Sequence, residues 1–352
     1  MATLYGRTFT RQELTRLLPD IEVVGGVRRV VLDDGAARGV RVAQFHTGSG
    51  LAFDVLLDRG MDIGYAAHNG RPISWQSSVG IPHPAAYDDR GAAGFLRAFH
   101  GGLVVGCGPD NVGSPNVDDG EELPLHGRLS NTPASHISYG GAWEGDEYRL
   151  WVEGQVRHAI VFGANLLLKR RIWAWLGGNT IFIEDTLENQ GVARAPYQLL
   201  YHCNFGFPLL SAESELHIAS EVRPRDAEAA KGLAEYNRFS PPQAEYPEQV
   251  FYHLPQSDKD GYARATLINP ALQLGAYVRF RLAELPHMIE WKMMQQGMYV
   301  LGLEPANCWV EGRAQDRAHG ILRFLEPGEK VELRLEIGVL PDAASLASTA
   351  AR

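Results

Sequence analysis

Two histidines and a carboxylate occupy places in this 352-residue chain where they can perform acid–base chemistry. His202 directly follows the apolar residues 199–201, Glu304 comes after a second apolar run at 299–301, and the third residue lies in the sequence Leu-His126-Gly. A partly buried carboxylate has a raised pKa unless it is paired, and a histidine titrates near neutral pH. Side chains at strand ends are commonly presented to a cleft. These residue types therefore predict a site that accepts and donates protons.

Each of the three residues also has an ordinary structural interpretation. A lone His-Gly pair such as that of His126 is typical of a solvated loop. His202 can be a core histidine bonded to a backbone carbonyl. Glu304 can form a salt bridge at a strand end, for example with Arg313. Taken one at a time, the residues leave both interpretations open.

The segment 99–133 is dense in Gly, Asn and Asp, and it carries a histidine and an arginine beside glycines. Glycine permits tight turns and lets a ligand approach the backbone closely. A loop of this length inside a compact domain is usually functional or disordered, and its aromatic and apolar residues argue against disorder. We therefore expect this segment to line a binding site, with Asp110 and Arg128 as candidate substrate contacts.

The elements that must position these residues are mostly strands. Apolar and charged side chains alternate over 331–337, and 148–152 alternate in the same way, which predicts half-buried strands. Turn sequences such as Asn69-Gly70 and Pro327-Gly328 separate many of the runs. Further strand-like runs cover 28–32, 39–46, 51–57, 166–175, 179–187, 197–203, 273–282 and 297–303.

Helix signals are few. Thr10 and Glu13 have the spacing of a capping box and predict a helix over about 10–18. A second helix is predicted over 226–236, within the polar segment 224–260, which we interpret as a surface excursion between strands. Many short strands with few helices predict an all-β, mainly antiparallel sandwich, formed by residues 1–352 as one domain.

Composition and motifs exclude several classes of function. The net charge is −9 and the only basic run is Lys169-Arg170-Arg171, which disfavours a nucleic-acid partner. No apolar stretch reaches the roughly 20 residues that span a bilayer, and the N-terminal sequence lacks the apolar core of a signal peptide, so a cytosolic location without membrane contact is expected. Dinucleotide and P-loop glycine motifs are missing, and the three dispersed cysteines indicate neither a zinc site nor a disulfide framework.

Five segments, in this order, resemble the aldose 1-epimerase (galactose mutarotase-like) superfamily, and most closely a bacterial subfamily known as DUF4432. The resemblance implies a large β-sandwich of the supersandwich kind with few short helices, and a concave site for a small-molecule sugar. The segments are Asp58-Arg59-Gly60-Met61-Asp62-Ile63, the stretch from Gly101-Gly102-Leu103 through Cys107-Gly108 to Asp110-Asn111-Val112-Gly113, Leu125-His126-Gly127-Arg128, Tyr201-His202-Cys203-Asn204-Phe205-Gly206 and Gly302-Leu303-Glu304-Pro305.

The resemblance also implies roles for single residues. His126 resembles the first site histidine of the family, His202 the general acid and Glu304 the general base. Arg59 falls in an early loop where the family often places a residue that contacts the sugar.

The chain departs from the family pattern at two points. Arg128 stands where the usual mutarotase has a second glycine after its His-Gly pair. The aspartate that grips sugar hydroxyls has no clear match, and His253, Trp291 and Lys292 are candidates to replace it.

Such a site predicts the interconversion of sugar anomers. A base removes the proton of the anomeric hydroxyl, an acid protonates the ring oxygen, and the opened sugar rotates about its C1–C2 bond before closing. No electron or hydride moves, so neither a cofactor nor a metal is expected.

Two alternatives stay open at this point. Two histidines and a carboxylate can hold a divalent metal in an isomerase or epimerase that acts through an enediol, with Lys292 or Arg128 stabilising the enediolate. The same scaffold can also serve a non-catalytic sugar sensor.

Overall fold

A computed structural model of the chain describes residues 1–342 and 344–346, and strands account for most of its regular structure. The strands are β1 (Ala2–Leu4), β2 (Arg7–Phe9), β3 (Gly26–Val31), β4 (Arg41–His46), β5 (Leu51–Leu56), β6 (Asp62–His68), β7 (Arg71–Pro72), β8 (Trp75–Gln76), β9 (Gly101–Gly102), β10 (Val104–Cys107), β11 (Asn116–Asp118), β12 (Glu121–Leu123), β13 (Ser135–Glu144), β14 (Glu147–Ala159), β15 (Asn165–Trp175), β16 (Thr180–Asn189), β17 (Ala195–Tyr197), β18 (Leu200–Phe205), β19 (Glu215–Ile218), β20 (Ser220–Pro224), β21 (Gln249–Pro255), β22 (Tyr262–Asn269), β23 (Leu274–Arg281), β24 (His287–Gln295), β25 (Met298–Ala306), β26 (Arg323–Leu325) and β27 (Lys330–Leu340).

The helices are short. They are α1 (Arg11–Leu17), α2 (Ala93–Ala98), α3 (Ala227–Lys231) and α4 (Arg313–Ala318), with 3-10 turns at Ile21–Val23, Gly35–Ala37, Pro84–Ala86, Leu129–Asn131 and Leu233–Glu235. Within the described residues, none of the helices combines the length and the apolar character needed to cross a membrane.

Two large antiparallel sheets contain most of the strands. One has eleven strands, in the order β20-β21-β24-β25-β18-β10-β6-β5-β4-β3 with β7 paired to β6. The other has eight, in the order β13-β14-β15-β16-β27-β23-β22-β19. Cys203 and Leu303 of the large sheet share one buried apolar cluster with Ile172 and Ile183 of the smaller sheet, so the core lies between the two sheets. The prediction of an all-β, mainly antiparallel sandwich with few short helices is confirmed.

The helix predictions are right in part. Helix α1 has the predicted capping box, in which Thr10 accepts from the backbone of Glu13 and the Glu13 carboxylate accepts from the backbone of Thr10. The predicted helix at 226–236 is a shorter helix, α3, followed by a 3-10 turn. Helices α2 and α4 were not predicted, because six residues are too few to show a helical period.

The interpretation of 224–260 as a surface excursion is wrong for its last part. Strand β21 lies inside the large sheet, and all of its residues except Leu254 are buried. A strand buried on both faces shows no alternation of apolar and polar residues, so the periodicity used to find half-buried strands does not detect it.

A charged pair is buried between the two sheets. Arg170 of β15 donates from Nε and Nη2 to Asp185 of β16, at 2.9 and 2.6 Å, and from Nη1 to the carbonyl of Gly60 at 2.9 Å. The hydroxyl of Tyr201, on β18 in the other sheet, donates to the same carboxylate at 2.7 Å. The pair therefore has hydrogen-bonding partners in both sheets, as buried charges require.

The network continues through Asp62 on β6. Its Oδ1 lies 4.0 Å from Nη1 of Arg170, and its Oδ2 accepts from Ser130 at 2.6 Å and contacts Nε2 of His100 at 3.2 Å. Ser130 belongs to the 3-10 turn that ends the segment 126–131. The buried charges thus connect the interface between the sheets to the loop that carries the first candidate histidine.

Replacing Arg170 by Met should destabilise the protein by about 3–5 kcal/mol, because Asp185 is then left buried without its counter-charge. Arg171→Met is the matched control, since Arg171 faces outward and stacks at 5.5 Å over the ring of Trp151; it should cost about 1 kcal/mol or less. Denaturant unfolding followed by circular dichroism measures both. Equal losses in the two variants would show that the buried pair does not stabilise the sandwich.

Candidate active site

The candidate site lies on the face of the large sheet that points away from the core. Along β18 and β25 successive residues point to opposite faces. Cys203 pairs with Leu303 and Asn204 with Gly302, so His202 and Glu304 are cross-strand neighbours on the outer side. Their position follows from the strand register alone.

His202 and Glu304 are in direct contact. Nε2 of the histidine lies 3.1 Å from Oε1 of the glutamate, and the two side chains are only 7% and 3% exposed. Burial raises the pKa of Glu304 well above its usual value; the charge of Glu248 adds to the rise and that of Arg225 opposes it. Burial, assisted by His126, lowers the pKa of His202 to about 3. Both shifts favour the uncharged forms, in which the protonated carboxyl of Glu304 can donate to Nε2 of a neutral imidazole.

His126 is the third member of the group. Its backbone has a φ of 57°, and this left-handed turn brings the imidazole to 5.9 Å from the ring of His202, centroid to centroid. The backbone N–H of Gly113 donates to Nδ1 of His126 at 3.3 Å. Burial lowers the pKa of His126 to about 4, so the neutral ring carries its proton on Nε2, which can donate to a ligand.

Aromatic rings surround the three polar side chains. Phe95 lies 4.8 Å from the ring of His126, while Phe99 and Trp291 lie 5.2 and 5.4 Å from that of His202. Trp75 is buried and lies 6.2 Å from Trp291 in an edge-on arrangement. Such rings offer apolar faces to a sugar and limit the access of water.

Gly302 provides the space in which the pair meets. A Cβ atom at this position would lie 2.7 Å from Oε1 of Glu304, 3.1 Å from Cβ of Trp291 and 3.2 Å from Cε1 of His202. Sequence reasoning missed this residue as a part of the site. Its position two residues before Glu304 on a strand is the signal that could have found it.

Two charged residues at the rim were also missed. The indole N–H of Trp291 donates to Glu248 at 3.0 Å, and Glu248 accepts from Arg225 at the same distance. Both residues fall in the polar segment that was interpreted as a surface excursion, where the sequence alone gives no pattern that selects them.

Asp110 and Arg128 lie beside the loop of His126 and bind one another. The Arg128 guanidinium donates to Asp110 at 2.8 Å from Nη1 and to Asp89 at 2.8 Å from Nε, and its backbone N–H also donates to Asp110. Asp110 is buried. The pair stabilises the turn that follows His126. Each of its two charged groups already has a hydrogen-bonding partner in the protein.

Arg59 is not brought to the cluster. It is fully buried, and it donates to the carbonyls of Ser130, Pro82 and Ala98 at 2.6–2.8 Å. Burial lowers its pKa to about 10. The guanidinium donates to backbone oxygens of three segments, so in this structure it connects these loops.

His253 and Lys292 point to the opposite face of the sheet. His253 lies 3.0 Å from Glu290 through Nε2 and 2.8 Å from Ser220 through Nδ1. Nζ of Lys292 donates to the carbonyls of Glu235 and Arg238. Of the three candidates for the missing aspartate, only Trp291 lies with the pair, because adjacent residues of a strand face opposite sides.

The partner that sequence reasoning offered for Glu304 is occupied elsewhere. Arg313 donates to Asp118 at 2.6 Å and to Glu121 at 2.7 Å. Glu304 has instead a histidine partner, and across residues 1–342 and 344–346 no group of three or more His, Cys, Asp or Glu side chains is arranged to hold a metal ion. Chemically, the arrangement offers one shared proton, one N–H donor and an apolar wall.

Comparison with known proteins assigns the chain to a family. The model of a domain of unknown function, DUF4432, matches residues 37–339. No curated protein matches the chain. A crystal structure of a candidate aldose 1-epimerase from Klebsiella pneumoniae subsp. pneumoniae superposes with a TM-score of 0.86 at 26% identity, over 92% of this chain and 85% of that one.

More distant structures share the fold alone. A galactose mutarotase-like protein from Clostridium acetobutylicum has a TM-score of 0.62 at 12% identity, over 90% of this chain and 99% of that chain. Galactose 1-epimerase from Lactobacillus acidophilus has a TM-score of 0.59 at 10% identity, over 90% and 98%. The sandwich is therefore of the galactose mutarotase-like kind.

Gly302→Ala should displace His202 or Glu304, because the added methyl group would lie 2.7 Å from Oε1 of Glu304 and in a tight contact, 3.2 Å, with Cε1 of His202. Gly140→Ala is the control: this glycine is also in a strand, and its added Cβ meets only ordinary contacts with Trp151, at 3.7 Å. ¹⁵N-resolved histidine NMR should show shifted His202 resonances in the first variant and parent-like ones in the second. An unchanged His202 spectrum in Gly302→Ala would mean that the pair does not depend on this space.

The neutral state of His202 should make the protein sensitive to acid. The unfolded chain binds a proton near the ordinary pKa of about 6.5, whereas the folded chain binds it only near 3, so this contribution is complete above pH 6.5 and falls as the pH drops. The slope is up to about 1.4 kcal/mol per pH unit. Glu304, whose pKa is raised, has the opposite dependence, with its contribution lost as the pH rises.

Urea unfolding at about pH 7, 5.5 and 4.5 should therefore show a shallower acid loss for His202→Gln than for the parent, since glutamine binds no proton. The parent itself provides the reference at each pH. Identical acid slopes in the two proteins would contradict a buried neutral histidine at this position.

Proposed function

This chain belongs to the DUF4432 family, and from that membership together with the site we propose that it is a sugar isomerase of the aldose 1-epimerase type, which interconverts the anomers of a small aldose in the cytosol. The observation that carries the proposal is the buried contact between His202 and Glu304, at 3.1 Å. A carboxyl–imidazole pair with strongly shifted pKa values is characteristic of proton-transfer sites. The similarity to a candidate aldose 1-epimerase, over most of both chains, supports the same reaction class.

The pair can move both protons that anomer exchange requires. One member protonates the ring oxygen while the other takes the proton of the anomeric hydroxyl, so the pair ends the step with the number of protons it had at the start. The C1–O5 bond breaks, an open-chain aldehyde forms, and rotation about C1–C2 exposes the other face of the carbonyl. The reverse transfers then close the ring as the opposite anomer. Transfer of the proton between them to Nε2 of His202 leaves Glu304 as a carboxylate, and in this ionised form of the pair we assign the basic role to Glu304 and the acidic role to His202.

His126 and the aromatic rings complete the assignment. Nε2 of His126 carries the proton of its neutral ring and is proposed to donate to a sugar oxygen, which orients the ring above the pair. Trp291 and Phe99 are proposed to pack on the apolar face of the pyranose and to exclude water. No electron is transferred in any step, so the reaction needs no redox cofactor.

Glu304→Gln should lower the turnover of anomer exchange by about 10²–10⁴-fold, because the amide keeps the shape of the side chain but cannot accept the proton. Sugar affinity should fall much less. Exchange can be followed for several aldoses by saturation-transfer NMR in D₂O. Activity of this variant within a few-fold of the parent would remove Glu304 as the base and favour a sugar-binding protein.

Glu290→Gln provides a matched control. Glu290 is also a buried carboxylate in contact with a histidine, His253, but it lies on the other face of the same sheet. Its replacement should leave exchange within a few-fold of the parent. Deuterium appearing at a sugar carbon in the parent reaction would instead identify an isomerase that acts through an enediol.

A further inference from the structure

A cavity of about 430 Å³ opens on the same face of the large sheet as the His202–Glu304 pair. Arg223, Tyr252, Trp309 and Glu311 are among the residues that line it. This volume is within the range of small-molecule sites. The cavity is not used in the reaction proposed above.

The strand register places the cavity in line with the pair. Arg223 of β20 pairs with Tyr252 of β21, Tyr252 with Ile289 of β24, and Ile289 with Glu304 of β25. Directly paired residues lie on the same face, so Arg223 and Glu304 are in one cross-strand row, about 14 Å apart at three strand spacings.

A second link joins the two regions. Arg225 lines the cavity, and its guanidinium binds Glu248, which also accepts from the indole of Trp291 beside His202. A molecule whose anomeric end lies at His202 and Glu304 can therefore extend past Trp291 into the cavity.

Arg223 has the chemistry of an anion-binding residue. Its guanidinium lies over the rings of Trp309 and Tyr252, at 4.9 and 5.5 Å from their centroids. An arginine held over aromatic rings keeps the N–H groups at the edge of its guanidinium available for a bidentate contact. Within residues 1–342 and 344–346, the side chain makes neither a hydrogen bond nor an ion pair.

The other charged residues in the cavity do not favour an anion, so anion binding there depends on Arg223. The guanidinium of Arg225 is already bonded to Asp226 and Glu248. Glu311, to which the hydroxyl of Tyr252 donates at 3.5 Å, contributes a negative charge. Without Arg223 the cavity would therefore repel an anion, and with it an anion has one unneutralised, oriented partner.

We propose that this cavity binds an anionic group at the far end of the substrate, so that the sugar is an aldose bearing a carboxylate or a phosphate away from its anomeric carbon. The proposal rests on the proposed function for the position of the anomeric end. Arg223 selects the substrate by a bidentate, charge-assisted contact, and the pair at Glu304 acts on the opposite end of the same molecule. Uronates and hexose 6-phosphates share this chemistry and differ in the shape of the anion.

The test compares acidic and neutral sugars in the parent, Arg223→Gln and Arg29→Gln proteins. Arg29 is the control because it is exposed and also stacks over a ring, that of Tyr139 at 5.6 Å, on a different strand. Probes are D-glucuronate and D-glucose 6-phosphate, with D-glucose as the neutral reference. Binding is measured by calorimetry and anomer exchange by saturation-transfer NMR.

In the parent and in Arg29→Gln, at least one acidic sugar should bind more tightly than glucose, and its affinity should weaken as salt is added. Arg223→Gln should lower that affinity by about 10- to 100-fold and leave glucose binding nearly unchanged. The acidic sugar that shows this loss identifies the anion as carboxylate or phosphate. Circular dichroism and the unfolding midpoint check that each variant is folded.

Two failures can be told apart. If glucose binds as well as both acidic sugars and Arg223→Gln alters neither affinity, the anion site is refuted while anomer exchange can still be observed. If acidic sugars bind through Arg223 but no anomer exchange is accelerated, the anion site stands and the proposed isomerase activity is refuted.

Discussion

Burying an arginine and an aspartate between two β-sheets is costly unless every charge finds partners, and this requirement organises the sandwich. Arg170 and Asp185 belong to one sheet, yet Tyr201 of the other sheet completes their hydrogen bonding. Asp62 carries the polar contacts onward to Ser130, at the end of the loop of His126. The relative position of the sheets and that of the loop are thereby set together. A site assembled from distant segments gains its geometry from this shared interior.

The alternation of side chains across a sheet divides the buried acid–base groups into two sets. Glu304 with His202 and Glu290 with His253 are both buried carboxylate–histidine contacts near 3 Å, and the two glutamates lie on adjacent strands. One contact lies among the aromatic rings on the outer face of the sheet, and the other faces inward and is completed by Ser220. Similar local chemistry therefore has different access to a ligand, and strand register decides which pair can meet one.

Much of the architecture was predictable from sequence because half-buried strands alternate in polarity and a capping box marks α1. Strand β21 was missed because it is buried on both faces, and α2 and α4 because each is barely more than one turn. Within the site, resemblance to a family pointed to the three residues that the structure brings together. The sequence could not show whether Arg59 contacts a ligand, because an arginine that binds backbone carbonyls and one that binds a sugar look the same in sequence.

The missed parts of the site have a common physical origin. Gly302 contributes to the site because it has no side chain. Glu248 contributes through its contacts with Trp291 and Arg225. The contacts of Arg225 and Glu248 have no local pattern, because they depend on segments that meet only in the folded chain. Register could have identified Gly302, whereas the rim required three-dimensional coordinates.

Strand β20, which carries Arg223, is the outermost strand of the eleven-stranded sheet, whereas β18 and β25 lie several strands further in. An edge strand has one hydrogen-bonded neighbour, and substitutions of its exposed side chains change the free energy of unfolding little. Under the proposed assignments, the residue that would select the ligand lies on this edge strand and can change while the His202–Glu304 pair in the middle of the sheet stays the same. Such a separation would make the fold evolvable, because related chains could differ in the ligand they recognise and keep one reaction.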